Sequence, residues 1–222
     1  MLYADIAGAV AATGMVARGG FVAGPDDLVP PQPDGKATHT VVVIGNVGGA
    51  MWPLFRAAEQ AVDDPLDTWT RAMLAPIAAS LGATFVHPSD EPFQPFQRWA
   101  QRAEGIAQSP IGILIHPQHG LWHAYRGAFL FSIAIEGLPP PIGDPPPCLS
   151  CADQPCLSAC PVDAFTIGNY DADACRSHVR SRVEPVCIDA GCAARLACPI
   201  GTHNRYGPDQ MNFHMKAFVG ER

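Results

Sequence analysis

Eight cysteines are the residues of this chain best suited to chemistry, and all of them fall between Cys148 and Cys198. Their spacing is Cys148-x2-Cys151-x4-Cys156-x3-Cys160-Pro161, then Cys175, then Cys187-x4-Cys192-x5-Cys198-Pro199. Thiolates are soft ligands for iron and zinc, and paired thiols can also form disulfides. In a cytoplasmic chain, where thiols stay reduced, metal ligation or redox chemistry is expected ahead of structural disulfides.

A short loop of the form Cys-x2-Cys-x2-Cys-x3-Cys-Pro, used by bacterial ferredoxins, aims three sulfurs at one 4Fe-4S cubane and the fourth at a second. The stretch from Cys148 to Pro161 matches this form except for two extra residues before Cys156. By that geometry Cys148, Cys151, Cys156 and the distant Cys198 hold one cluster, while Cys160, Cys175, Cys187 and Cys192 hold another. Two [4Fe-4S] clusters then use every cysteine. One cluster with spare thiols is an alternative, as are disulfides and zinc, though zinc usually takes two separated Cys-x2-Cys pairs. Arg176, Arg180, Arg182 and Arg195 interleave with the later cysteines and could offset the charge of anionic clusters. Each also reads as a residue on a solvated helix face, with Asp173 as a helix N-cap.

The chain that must position these thiols has 222 residues, enough for one large domain or two modest ones. Fourteen basic residues face 21 acidic ones, a net charge of −7, which argues against a phosphate-neutralising groove and hence against nucleic acid as a partner. The opening MLYADIAGAVAATGMVARGGF has no basic leader and is broken by Gly14, so neither a signal peptide nor a membrane span is expected and the protein is assigned to the cytoplasm. Residues 1 to 147 contain no cysteine, and LPPPIGDPPP at 138–147, with six prolines, favours an extended connector. These features divide the chain into a domain at 1–137, a linker at 138–147 and a cysteine-rich domain at 148–222.

In the first domain Val41 to Ile44 reads as a buried strand ending at Gly45, but Gly45, Gly48 and Gly49 do not form a dinucleotide-binding fingerprint. DPLDTWTRAMLAPIAASLG reads as a helix interrupted near Pro76, PFQRWAQRAEGIA as another helix, and 111–115 and 128–135 as strands. In the tail, Met211, Met215 and Phe218 recur at helical spacing. Mixed helices and strands predict an α/β or α+β layered domain, and α+β is the class expected for the whole chain. Between the two later strands lies HPQHGLWHAYRGAFLF. A core strand rarely carries three histidines, Trp122, Tyr125 and Arg126 so close together, because His and Arg are costly to bury without partners. The cluster predicts a site, although His116, His119 and His123 taken singly each fit an ordinary structural role.

The phrase HPQHGLWHAYRG resembles the HP-x-x-G-G-W-x-x-x-RG segment of the CblC (MMACHC) family, which removes the upper ligand of cobalamin. VVVIGNVGGAMWPLF, DPLDTW and FVHPSDEPFQ line up with further segments of that family, so the resemblance runs from about residue 40 to 140. His116, Pro117, Gly120, Trp122, Arg126 and Gly127 match, and His119 and Leu121 depart. The resemblance implies a nitroreductase-like, cobalamin-binding domain in which His116, Gly120, Trp122, Arg126 and Gly127 contact the cofactor, with Arg126 near the corrinoid. The cysteine-rich part resembles the two-cluster, ferredoxin-like module of epoxyqueuosine reductase and reductive dehalogenases. Its Cys192-x5-Cys198 departs from the Cys-x2-Cys-x3-Cys pattern there.

Taken together, the resemblances imply an iron-sulfur cobalamin-binding reductase fed by a soluble low-potential electron donor, with Arg126 and Tyr125 as candidate catalytic residues. Homodimers are common among related proteins, and no membrane partner is expected. Two alternatives stand beside this reading. One is an epoxyqueuosine-reductase-like enzyme that uses cobalamin on an organic substrate, for which Asp90, Glu91 and Tyr125 are the available proton donors. The other is a ferredoxin-like electron carrier whose first domain docks a partner through His116, Trp122 and Arg126.

Overall fold

The structure is a computed structural model that describes residues 1–184 and 186–221. The chain begins with α1 (Tyr3–Ala11), β1 (Val16–Val22), β2 (Thr40–Val47), α2 (Trp52–Ala58), α3 (Pro65–Ser80), β3 (Thr84–Val86) and α4 (Phe96–Glu104). Next come β4 (Ala107–Gln108), β5 (Leu114–Ile115) and the long β6 (His123–Phe131). The remainder holds α5 (Pro155–Ser158), β7 (Phe165–Thr166), β8 (Asn169–Tyr170), α6 (Ala172–Ser181), α7 (Cys187–Ala190), α8 (Ala193–Leu196) and α9 (Pro208–Val219). The architecture is α+β, and it separates into two compact units. The first comprises Met1–Ile106 and His123–Gly143; the second comprises Ala107–Trp122 and everything from Asp144 onward.

The first unit is built on an antiparallel sheet of order β1-β2-β6-β3. Central β2 is buried on both faces, as its unbroken apolar run requires. Val41 and Val43 point one way, with Ala128 and Leu130 of β6, into a cluster with Phe21 and with Phe96, Trp99 and Ala103 of α4. Val42 and Ile44 point the other way and are equally inaccessible, on the face left to α1 and α3. The strand runs past Gly45 to Val47 rather than ending there. Helix α3 continues through Pro76 because Pro76 and Ala72, whose carbonyl loses its helical partner, are both exposed, so water can satisfy the freed group.

Two β-bulges distort this sheet, and each displaces an arginine. In β1, Ala17 pairs with Ile44 and Gly20 with Val42, which inserts one extra residue in the stretch around Arg18 and Gly19. In β6, Tyr125 pairs with Gly45 and Gly127 with Ile44, leaving Arg126 as the extra residue. Gly45 is needed opposite this second bulge, because a Cβ there would collide with the Ala124 carbonyl oxygen.

The second unit is built from short pieces. Helices α5, α7 and α8 have four residues each and cannot be stable alone. They gather around two apolar clusters that include cysteines, one with Ile111, Ile115, Leu121 and Ala194, the other with Val179, Ile188 and Val219. Met215 and Phe218 of α9 pack on the second cluster, as their helical spacing predicts. Helix α6 is capped by Asp171, which accepts from the Ala174 amide at 2.9 Å, not by Asp173. The predicted strand at 111–115 shrinks to Leu114–Ile115 because Ser109 to Gly112 form a hairpin turn, and the one at 128–135 begins instead at His123 and ends at Phe131.

Gly45→Ala should destabilise the first unit by roughly 1–3 kcal/mol, the usual cost of forcing an atom into a filled site. Chemical denaturation of the variant beside the parent protein checks this, and an unchanged midpoint would mean that the strand pair can spread without cost.

Candidate functional site

The cysteines separate into two groups of four. Cys148, in a 3-10 turn at Pro147–Ser150, lines an open cavity of about 370 Å³ together with Cys151, Cys156 of α5 and Cys198. Cys160, Cys175 of α6, Cys187 of α7 and Cys192, the N-cap of α8, line a second cavity of about 290 Å³. Each Cys-Pro cysteine faces the cavity whose other three ligand positions lie in the opposite stretch of sequence. All eight cysteines are free thiols. Among the described residues no group of three or more His, Cys, Asp or Glu side chains is arranged to hold a metal ion.

The electrostatics follow the same partition. Burial, followed by Cys198, Cys156 and Cys151, pushes the Cys148 thiol up to about 11. Burial also raises Cys156 and Cys198, with Cys198 and Cys151 adding to the first and Cys151 to the second. In the other group burial raises Cys175, Cys187 and Cys192, with further contributions from Cys160 on Cys175, from Cys175 and Cys160 on Cys187, and from Cys175 and Cys187 on Cys192. Neighbouring thiolates repel, so each group resists full ionisation unless positive charge enters the cavity. Backbone amides are aimed at the sulfurs: Ala164 N–H donates to Cys160 Sγ at 3.4 Å, and the amides of Ala193, Arg195 and Ile200 donate to Cys187, Cys192 and Cys198. Such donors favour the ionised, ligating form.

The arginines between the cysteines have separate engagements. Arg180 donates to the Val219 carbonyl and Arg182 pairs with Glu221. Arg176 lies over the Phe218 ring and, after burial, Tyr170 and Cys160, acts on Cys175. Arg195 is held between the rings of Trp122 and Tyr206, at 4.5 and 4.7 Å, and donates to the Leu121 carbonyl. Arg205, which the spacing did not single out, is the cation that acts on Cys198. The Tyr170 hydroxyl, likewise unforeseen, bonds to Cys175.

The segment HPQHGLWHAYRG is divided between the two units. His116, Gly120 and Trp122 belong to the second, and His123, Tyr125, Arg126 and Gly127 to the first. His116 is 7% exposed, stacks on His119 at 4.0 Å, and accepts from the Gln118 and His119 amides through Nδ1. Gly120 and Gly201 allow the two backbones to pass in direct contact: a Cβ on Gly120 would strike the Ile200 carbonyl, and one on Gly201 would strike His119. Trp122 is fully buried against Tyr206 and Arg195. Gly127 is backed by the Phe85 ring, where a Cβ would not fit.

In the first unit, Arg126 is partly exposed on its bulge and donates through Nε to Asn46 Oδ1 at 3.0 Å. Buried Asn46 also accepts from Arg18 through its carbonyl. Arg18 makes two bonds to Glu104, at 2.7 and 2.9 Å, and Glu104 accepts the Tyr125 hydroxyl. Burial, opposed by Arg18 and reinforced by Glu104, holds Tyr125 above the ordinary phenol range, so its proton stays on oxygen and engaged by Glu104. Asp90 accepts from the His87 amide and from Arg71, while Glu91 is exposed. Beside Arg126 lies a group that residue types alone did not reveal. His87 is 2% exposed, accepts from the Ser89 amide at Nδ1 and faces Asp67 at 3.8 Å through Nε2. Ser89 donates to Asp67, and Arg71 donates to Ser89. The DPLDTW and FVHPSDEPFQ stretches contain Asp67, His87 and Ser89, with Arg71 two residues beyond the first, and their meeting beside Arg126 depends on β3 pairing with β6.

Neither a protein family nor a curated protein matches this chain by sequence. Solved structures do match it in fold. An epoxyqueuosine reductase superposes with a TM-score of 0.58 at 14% identity, covering 94% of this chain and 68% of its own. The C. elegans B12-trafficking protein CblC, a human MMACHC homologue, gives 0.54 at 14% identity, covering 97% and 92%. An epoxyqueuosine reductase solved with a tRNA-Tyr stem loop gives 0.51 at 17%, covering 77% of this chain and 50% of that one, so the chain spans about half its length. The fold is therefore that of CblC and epoxyqueuosine reductase. That last protein was solved with a tRNA stem loop, whereas the net charge of −7 of this chain argues against nucleic acid as a partner. Among the described residues no helix is long and apolar enough to cross a membrane.

A pH dependence follows from His87. Burial, then Arg71 and Arg126, against Asp67 and Asp90, lower it below the usual 6.5. Between its folded value and 6.5 the unfolded chain binds the proton and the folded chain does not, so stability falls as pH drops through that window. Thermal unfolding followed from pH 7.5 to 5 should show this slope, and His87→Asn should flatten it; an equal slope in the variant would assign the effect to other groups.

Proposed function

We propose that this chain is an iron-sulfur reductase acting on bound cobalamin, with electrons from a soluble low-potential donor entering through two 4Fe-4S clusters. The observation that carries the reading is the division of eight thiols into two sets of four, each around its own cavity. Cys148, Cys151, Cys156 and Cys198 would hold one cluster, and Cys160, Cys175, Cys187 and Cys192 the other. The fit rests on the donor set: soft sulfurs, apolar walls and inward backbone amides suit a polynuclear iron site better than a single ion. When bound, the clusters supply single-electron transfer at low potential, and the corrinoid supplies a cobalt centre able to accept those electrons.

The fold shared with a B12-trafficking protein supports cobalamin as the main ligand. Of the residues suggested for it, Arg126 is the best placed, displaced from its strand by the bulge, partly exposed and oriented by Asn46. Tyr125 serves a different purpose on this reading: with Glu104 and Arg18 it stiffens the strand that carries Arg126. His116, Gly120 and Trp122 support the cysteine-rich unit by packing, and their contribution to a corrinoid would be indirect. The eight thiols suit a reducing cytoplasm. Organic substrate chemistry of the epoxyqueuosine reductase kind is the second reading, favoured by the fold neighbours and disfavoured because Asp67 and Asp90 are engaged by Ser89, Arg71 and the His87 amide.

The full chain, purified without oxygen, supplied with iron, sulfide and hydroxocobalamin and then gel-filtered, should retain about eight irons, the content of two cubanes, and close to one cobalt. Cys151→Ser and Cys192→Ser should each lower iron to about four, with a different electron paramagnetic resonance signal surviving in each. Arg126→Ala should keep its iron and bind cobalamin roughly tenfold more weakly, the loss of one charge-assisted hydrogen bond. Iron without cobalt in the parent protein would leave the electron-carrier reading in its place.

A further inference from the structure

Ser109 contributes a hydroxyl to the first cysteine cavity. It opens the hairpin turn between β4 and β5, where its amide donates to the Ile113 carbonyl at 2.8 Å and its carbonyl accepts from the Gly112 amide at 2.9 Å. Gly112 at φ +79° and Pro110 suit such a turn, so the backbone holds the residue firmly. With both main-chain groups engaged, only Oγ is left. Ser109 is 7% exposed, and among the described residues its Oγ has no hydrogen-bond partner. It lines the same cavity as Cys148, Cys151, Cys156 and Cys198, whose other walls are largely apolar, with Pro110, Ile115, Leu121 and Ile200 among them.

A buried hydroxyl with no acceptor is costly, and native structures usually provide one. Apart from Gln154, the other side chains of the wall offer sulfur and hydrocarbon alone. The geometry points to Ser109 as a hydrogen-bond donor to the iron-sulfur group of this cavity, through a ligating thiolate or a bridging sulfide. This inference rests on the proposed function and adds a tuning role to it. A donor to a cluster sulfur withdraws negative charge, stabilises the reduced form more than the oxidised form, and raises the reduction potential. The second cavity has no serine or threonine in its lining, and there the side-chain hydroxyl is that of Tyr170, bonded to Cys175. The turn carrying Ser109 is thus part of the cluster site although it lies some forty residues before the first cysteine.

The test is a redox titration of the reconstituted full chain, followed by electron paramagnetic resonance, for the parent protein, Ser109→Ala and Ser109→Thr. The alanine variant should keep its iron and show one of two midpoints moved to more negative potential, while the threonine variant, which keeps the hydroxyl, should retain the parent value. Unmoved midpoints in Ser109→Ala overturn the inference and leave the cluster assignment intact. If the alanine variant does not fold, Ser109→Thr against the equally shaped Ser109→Val decides in the same way. A parent protein with no iron-sulfur signal after reconstitution overturns the underlying assignment, and the role of Ser109 with it.

Discussion

Four thiols that face one cavity cannot all ionise at neutral pH unless something cationic shares the space. Burial opposes the charge on Cys148, Cys156 and Cys198 and neighbouring thiols oppose it again, so these three are held above the usual thiol range. The second unit is organised around relieving that conflict twice. Its helices α5, α7 and α8 are too short to stand alone, and its apolar clusters count Cys156, Cys160, Cys187 and Cys198 among their buried members. On the proposed reading, filling the cavities and folding the unit are one equilibrium, as in other small metal-bound domains.

The first unit depends on a different device. Strand β2 is flanked by two bulged strands, and each bulge redirects an arginine that a regular strand would have placed by simple alternation. Asn46 links the two, accepting from Arg18 on its carbonyl and from Arg126 on its side chain. Arg18 is neutralised by Glu104, which Tyr125 also engages, so a buried cation is paired and hydrogen-bonded rather than left alone. The result is one arginine locked in the interior and one presented at the surface of the strand. His87, Asp67, Ser89 and Arg71 form a second polar group beside the presented arginine, and its buried imidazole ties the stability of this region to pH.

The sequence by itself determined the elements governed by local periodicity and the chemistry governed by spacing. Val41 to Ile44 read as a buried strand, PFQRWAQRAE and the tail bearing Met215 and Phe218 read as helices burying one face, and the cysteine spacings suggested a four-and-four division beside the alternatives of one cluster, zinc or disulfides. It did not determine the short strand β1, whose glycines hide its pattern, or the extent of β6, whose His, Tyr and Arg read as a site more readily than as a strand.

Only the tertiary structure decided that residues 107–122 belong to the cysteine-rich unit. Their membership depends on Gly120 meeting Ile200 and on Arg195 filling the space between Trp122 and Tyr206, contacts between segments far apart in the chain. The fate of Arg126 was likewise undecidable from its neighbours, because a bulge is a property of two strands in register and neither strand encodes it alone. Ser109 and His87 are the same case: an ordinary serine and an ordinary histidine in sequence, given a role by which side chains the fold closes around them. Spacing along a chain limits which groups can meet through short loops, whereas meetings across long loops are selected by packing, and packing exists only once the chain has folded.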